Sequence, residues 1–267
     1  MTSFAAEETD TAFPGYENGD IFLSWNELGI RCYSDYDPAV AVKYVKNVIQ
    51  KYKTDGLAFQ RYFRKSQTGA GDDILAGNYM TIAGLYGSIY GIRPFYNRLY
   101  LEPHITPELN GTTVKYLLRG QKYEIRLISP EQYQMAVGGF VFNHTEPFAV
   151  NPDRPDQASC FFGGRDQKAM TLARSGGASL TVDLTGCSRT NPEWKEISGA
   201  GTTVSHTVFR LRPDTEYEVR VNGAPLCAAG SDISGSLTFD AALCASVPYC
   251  FTLRETAGSL ENGDSGR

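Results

Sequence analysis

The spacing of apolar and polar positions changes period once along this chain, close to residue 93. Before that point Val40, Ala41, Tyr44, Val45, Val48, Ile49 and Tyr52 recur at the spacing of one helix face, with Lys43, Lys46, Gln50 and Lys53 on the other side. Asp37 followed by Pro38 supplies a capping carboxylate and a proline suited to the first helical position, and Asp55-Gly56 supplies the stop. A second helix is predicted from Asp72 or Asp73 to Tyr90, with Gly91 as terminator and Pro94 beyond. It is apolar nearly all round, so protein must enclose it on most sides. Gly77, Gly84 and Gly87 each cost it roughly 1 kcal/mol of helix propensity relative to Ala, so a neighbour should approach its backbone closely.

After residue 93 the period becomes two. Leu99 and Leu101 alternate with Tyr100 and Glu102, and Val114, Tyr116 and Leu118 lead into a tight turn at Arg119-Gly120. Tyr123, Ile125 and Leu127 continue the alternation beyond it. The polar, Pro-containing stretch Thr145–Gln157 reads as a linker. Further strands are predicted over 178–184, 202–211, 215–221 with an Asn222-Gly223 hairpin turn, 236–239 and 249–253. Strands at this spacing argue for a β-sandwich. The expected domains are therefore 1–92, helical; 93–147, β; 148–256, a fibronectin- or immunoglobulin-like sandwich; and 257–267, a frayed tail.

Composition removes several function classes. The chain has 267 residues, 42% of them hydrophobic and 21% charged, which is ordinary for globular domains. With 25 Lys and Arg against 30 Asp and Glu, its net charge of −5 gives no electrostatic reason to bind nucleic acid or an anionic membrane. The first fifteen residues are acidic and lack the basic start and apolar run of a secretory signal, so a cytoplasmic setting with reduced thiols is expected. Six cysteines occur without a Cys-x-x-Cys pair, and no metal or other cofactor is expected. His104, His144 and His206 fall in β-regions and read as structural.

Three stretches carry a resemblance. Gly91-Ile92-Arg93-Pro94, Tyr96, Leu99-Tyr100-Leu101, Pro103, Gly111, Val114 and the run Arg119 to Ile125 look like the junction where the helical barrel of six-hairpin glycosidases and related sugar phosphorylases passes into a β-domain. Upstream, the run Glu17 to Glu27 followed by Asp73 to Tyr79 resembles the barrel end of α-L-rhamnosidase-type enzymes. Finally, the run Leu211 to Val221 resembles the strand entry of fibronectin-like sandwiches, where a corner tyrosine bonds back to the chain. The resemblance implies an α+β multidomain chain, in which partial (α/α)6-barrel helices precede antiparallel β-sheet and sandwich modules. A whole barrel of that kind needs roughly 200 residues. About ninety precede the junction here, so the chain reads as the C-terminal portion of a larger glycosidase.

Inverting glycoside hydrolysis uses an acid and a base carboxyl ~6.5–9.5 Å apart. The resemblance makes Glu27, in a loop-like segment, the catalytic base. Trp25 would stack on a sugar ring, Asp73 (with Asp72) would stand at a helix mouth, Asn78 and Tyr79 would reach hydroxyl groups, and Arg61 (with Arg64) would anchor an acidic group. Helix capping alone also accounts for an acid at 72 or 73, packing for Trp25, and a structural partner for Asn78. The expected activity is that of a glycosidase acting on a carbohydrate substrate, weak without its partner carboxylate. A non-catalytic carbohydrate- or partner-binding β-module and a sugar phosphorylase fragment are the alternatives. Apolar helix faces left open, at Tyr79, Leu85 and Tyr86, would favour self-association.

Overall fold

The computed structural model describes residues 21–56, 59–63, 66–71, 75–128, 132–185, 187 and 192–256. Its contacts divide the chain into two compact units, Met1–Arg93 with Leu101–Asn110, and Pro94–Tyr100 with Gly111–Arg267. The first holds strand β1 (Ile21–Phe22), helices α1 (Asn26–Tyr36) and α2 (Pro38–Asp55), short strands β2 (Arg61–Tyr62) and β3 (Gly69–Ala70), and helix α3 (Leu75–Gly84). A π-helical turn, Leu85–Ile89, prolongs α3. No helix among the described residues is long and apolar enough to cross a membrane.

Each helix has a local cause. Asp37 caps α2 by accepting from the backbone N–H of Ala39 and Val40 at 3.1 and 3.3 Å, and Gly56 follows its end at φ +80°. Ile30 of α1, Ala41, Val42 and Val45 of α2, and Ile89 of the π-turn form one buried cluster. A Cβ at Gly84 would stand 2.9 Å from Ile30 Cδ1, so glycine is what lets α1 and α3 approach. Gly91, at φ +64°, ends the helical run, and a Cβ there would collide with the Glu102 carbonyl at 1.9 Å. Segment Leu101–Asn110 returns to this unit through Glu102 N–H to Gly91 O, His104 N–H to Ile89 O, and the Lys46–Glu108 ion pair.

These helices do not form part of an (α/α)6 barrel. Among the described residues strand predominates, at 48%, and three short helices pack on one another and on a small β1-β2-β3 sheet. The described structure therefore overturns the expected fold class and the resemblance to the C-terminal portion of a six-hairpin glycosidase of the α-L-rhamnosidase type. The motif residues at Gly91-Ile92 mark a helix stop and a strand entry, which many folds need, and that local geometry does not specify a ring of helix pairs. The segment bearing Trp25 and Glu27 is also corrected: it enters helix α1 instead of a loop. Its sparse apolar positions, Ile30 and Tyr33 foremost, hid the helical period.

The remaining strands run in order: β4 (Ile92–Phe95), β5 (Arg98–Leu101), β6 (Thr113–Leu118), β7 (Gln121–Ile128), β8 (Gln132–Val137), β9 (Phe140–His144), β10 (Phe148–Arg154) and β11 (Gln157–Phe162). They continue as β12 (Lys168–Arg174), β13 (Leu180–Asp183), β14 (Glu193–Ser198), β15 (Thr202–Val208), β16 (Glu216–Val221), β17 (Ala224–Gly230), β18 (Leu237–Leu243) and β19 (Pro248–Glu255). One sheet has the order β18-β15-β12-β11-β10-β5-β4 and the other β17-β16-β19-β14-β13-β9-β8-β7-β6. Strand β13 pairs in parallel with β9, whereas its other neighbour β14, and β8 on the far side of β9, pair antiparallel. The stretch expected as a linker contains β10, whose Phe148, Ala149 and Val150 are fully buried. The tail expected from residue 257 lies outside the described residues.

Turn chemistry sets the registers. Arg119-Gly120 and Asn222-Gly223 both take positive φ, as tight hairpins require. Inside the sandwich, Trp194 of one sheet stacks on Phe251 at 5.3 Å, while His206 of the other stacks on Phe239 at 4.5 Å. The Tyr217 hydroxyl accepts from the Arg212 N–H at 3.0 Å and donates to Glu255 at 3.3 Å, pinning the corner before β16. Arg174, 6% exposed, makes no ion pair with a carboxylate among the described residues, although the charge of Asp156 acts on it. It donates instead to the carbonyls of Gly138, Gly139, Pro155 and Ala178, and lies 4.3 Å over the Phe140 ring.

His144 is 1% exposed, and its Nδ1 accepts from the N–H groups of Thr145 and Glu146, both at 2.9 Å. Burial pushes this imidazole down to about 4, against a weaker opposing pull from Asp183. The unfolded chain therefore takes up the proton first as pH falls. Stability contributed by neutral His144 is complete above pH 6.5 and is lost progressively down to about 4. The loss amounts to roughly 3 kcal/mol by linkage. Denaturant melts between pH 7.5 and 4 should show this decline, and His144→Leu should start lower at pH 7.5 and flatten the slope over that window.

Candidate functional site

Helix α2 shows two faces. Ala41, Val42 and Val45 turn toward α1 and the π-turn, whereas Tyr44, Asn47, Val48, Lys51 and Thr54 line a cleft of about 490 Å³. Spacings of three, four and seven residues place these side chains on one stripe of the helix. The floor is Leu23, Val48 and Tyr62, a second buried cluster that Ile21 and Tyr52 pack against. Asn26 adds to the lining from the start of α1, and Gln67 from the segment between β2 and β3.

The floor is held by hydrogen bonds that reach across the unit. Tyr62 Oη accepts from the Phe59 N–H at 3.2 Å and donates to Asp55 Oδ2 at 3.1 Å. Tyr52 Oη donates to the carbonyls of Gly77 and Asn78 at 3.2 and 2.8 Å, tying α2 to α3. Asn26, 2% exposed, donates through Nδ2 to Thr81 Oγ1 at 2.9 Å and so ties α1 to α3. Burial raises the phenols of Tyr44, Tyr52 and Tyr62 above the ordinary tyrosine value, which already leaves a phenol protonated at neutral pH.

Lys51 Nζ donates to the Gln67 carbonyl at 2.9 Å and stands 5.0 Å over the Tyr62 ring. The side-chain amides of Asn47 and Gln50 have no hydrogen bond among the described residues, and both are solvent-accessible. No carboxylate lines the cleft among those residues. The arrangement can present paired amide donors and acceptors, phenol hydroxyls and one cation above an apolar floor.

The residues singled out from sequence lie elsewhere. Trp25 is 63% exposed and Tyr79 56% exposed. Glu27, in the first turn of α1, has its Oε1 3.7 Å from Arg31 in an i, i+4 ion pair. Arg61 lies 5.6 Å over the Phe63 ring, and the Asn78 carbonyl is taken by Tyr52. Asp73, with Asp72 and Arg64, lies outside the described residues. None of the described five lines the cleft, although Asn26, between Trp25 and Glu27, does. The stripe Tyr44, Asn47, Lys51, Thr54 was the available signal, and the apolar stripe beside it masked it. Of the helix positions expected to be open, Tyr79 and Tyr86 are exposed, while Leu85 packs partly buried against the first helical cluster.

The β-unit holds a second polar cluster. Glu196 Oε1 accepts from Trp194 Nε1 at 2.7 Å and meets His206 Nε2 at 2.9 Å, with both ionisable side chains fully buried. Glu196 Oε2 and His206 Nδ1 have no hydrogen-bond partner among the described residues. With Phe239 and Phe251 packed around it and no exposure at either side chain, this cluster has no access for a substrate and reads as a specifier of sandwich packing. Compared with known proteins, the chain matches no family model and no curated protein sequence.

Removing the Asn26 amide should expose how far the cleft depends on helix register. Asn26→Ala leaves Thr81, fully buried, without that donor, and is expected to cost about 1–3 kcal/mol in denaturant melts. Asn26→Asp, which keeps an acceptor but loses the donor, should not restore it.

Proposed function

We propose that this protein binds carbohydrate, and that the cleft between α2 and the small β1-β2-β3 sheet takes a saccharide unit without cleaving it. The observation that carries this reading is the pair of uncommitted amides, Asn47 and Gln50, beside Tyr44 and above the Leu23, Val48 and Tyr62 floor. A pyranose ring presents vicinal hydroxyls that need a donor and an acceptor side by side, and a carboxamide supplies both. Its C–H face is apolar and packs well on aromatic and aliphatic surface. The cleft volume lies within the range of small-molecule sites, which holds a mono- or disaccharide.

Glycosidase chemistry was the other expectation, with Glu27 as base. Two carboxyl groups facing one bond are its minimum requirement. Glu27 pairs with Arg31 away from the cleft, and the cleft lining supplies no second carboxyl among the described residues. These placements favour binding over turnover.

Titration calorimetry against a panel of mono- and oligosaccharides tests the reading. At least one should bind, and the double change Asn47→Ala with Gln50→Ala should weaken it by tenfold or more, the order expected for two lost polar contacts. The melting temperature should stay within a few degrees, because both side chains are solvent-accessible. Failure of every sugar to bind at millimolar concentration would remove the proposal. Release of aryl product from an α-L-rhamnoside or other aryl glycoside, abolished by Glu27→Gln, would replace it with the hydrolytic one.

A further inference from the structure

The saccharide reading leaves the sugar class open, and the single charge in the cleft narrows it. We infer that the cleft selects an acidic sugar, a hexuronate, whose carboxylate is met by Lys51; this rests on the saccharide reading above. Lys51 is the one cationic side chain lining the cleft among the described residues, and no carboxylate lines it with Lys51. The other cation of α2 whose partner is known, Lys46, forms an ion pair with Glu108. Asp55, one helical turn beyond Lys51, commits Oδ2 to the Tyr62 hydroxyl and makes no ion pair with Lys51. Lys51 is thus partly buried, with no ion-pair partner among the described residues.

Its orientation suits an anion entering from the cleft. An ammonium has three N–H donors, and among the described residues one is engaged, on the Gln67 carbonyl at 2.9 Å. The Tyr62 ring 5.0 Å below holds the head group in place through its electron-rich face, leaving the remaining donors to the cleft. Among the described residues no carboxylate lines the cleft beside this ammonium, so a bound carboxylate would meet it without a competing acid in that lining. Asn47, four residues before Lys51 on the same stripe, is placed to take a ring hydroxyl of the same sugar. A neutral sugar satisfies the amides and leaves the ammonium unmatched.

The test compares an acidic disaccharide with its neutral counterpart of the same linkage, digalacturonate against digalactose, on the full chain at low and high salt. Digalacturonate should bind tenfold or more tightly at low salt, and the ratio should shrink as salt is raised. Lys51→Met, which keeps the aliphatic stem over Tyr62, should bring the ratio of the two affinities toward one, and Lys51→Arg should keep it above one. Melting curves for each variant identify any that fails to fold, and the salt dependence of the unaltered chain then decides. Equal affinity for the two sugars, or a preference that survives Lys51→Met, would overturn the inference while leaving saccharide binding in place. Binding of neither sugar by the unaltered chain would overturn the inference, and failure of the whole saccharide panel as well would overturn the reading it rests on.

Discussion

The approach of Ile30 to the backbone of Gly84 is the contact on which the candidate site depends. It brings α1 close enough to α3 for Asn26 to reach Thr81, and those two contacts set where the start of α1 meets the cleft. Tyr52 then ties α2 to the same helix through two α3 carbonyls. With three helices locked to one another, the outer stripe of α2 is free to carry polar residues. A helix that gave that stripe to packing would have no cleft to line.

The β-unit solves a different problem. Its core contains polar side chains, and Arg174, Glu196 and His206 each find at least one partner on another strand or turn. Arg174 finds four carbonyls at strand ends in place of a carboxylate, and Glu196 joins Trp194 and His206 across the facing sheets. Such groups stabilise little in net terms, but they penalise any register in which the partner is missing. Apolar alternation could tolerate a strand shifted by two residues; these contacts could not.

The helical stop signals and the hairpin turns were legible in the sequence because they are local. Asp37-Pro38, Gly56, Gly91, Arg119-Gly120 and Asn222-Gly223 act through backbone conformations that neighbouring residues impose. The candidate site was not legible in this way. Trp25, Glu27 and Asn78 drew attention as residue types familiar from sugar chemistry, yet type does not determine direction. Trp25 points to solvent, Glu27 pairs one turn along its own helix, and Asn78 gives its carbonyl to Tyr52. Tyr62, on a two-residue strand, and Gln67, between β2 and β3, belong to segments too short for a periodic signature.

By itself the sequence determined the change from helical to strand periodicity near residue 93, the cap and stop of α2, and the tight turns of the sandwich, since each rests on propensities of a few adjacent residues. Tertiary structure alone decided that the helices pack on one another instead of joining a ring. It also decided that strands from 92 to 255 interleave in two sheets, and that no acid among the described residues lines the cleft with Lys51. These are outcomes of which surfaces meet, and contacts between residues far apart in the chain leave no local pattern from which to read them.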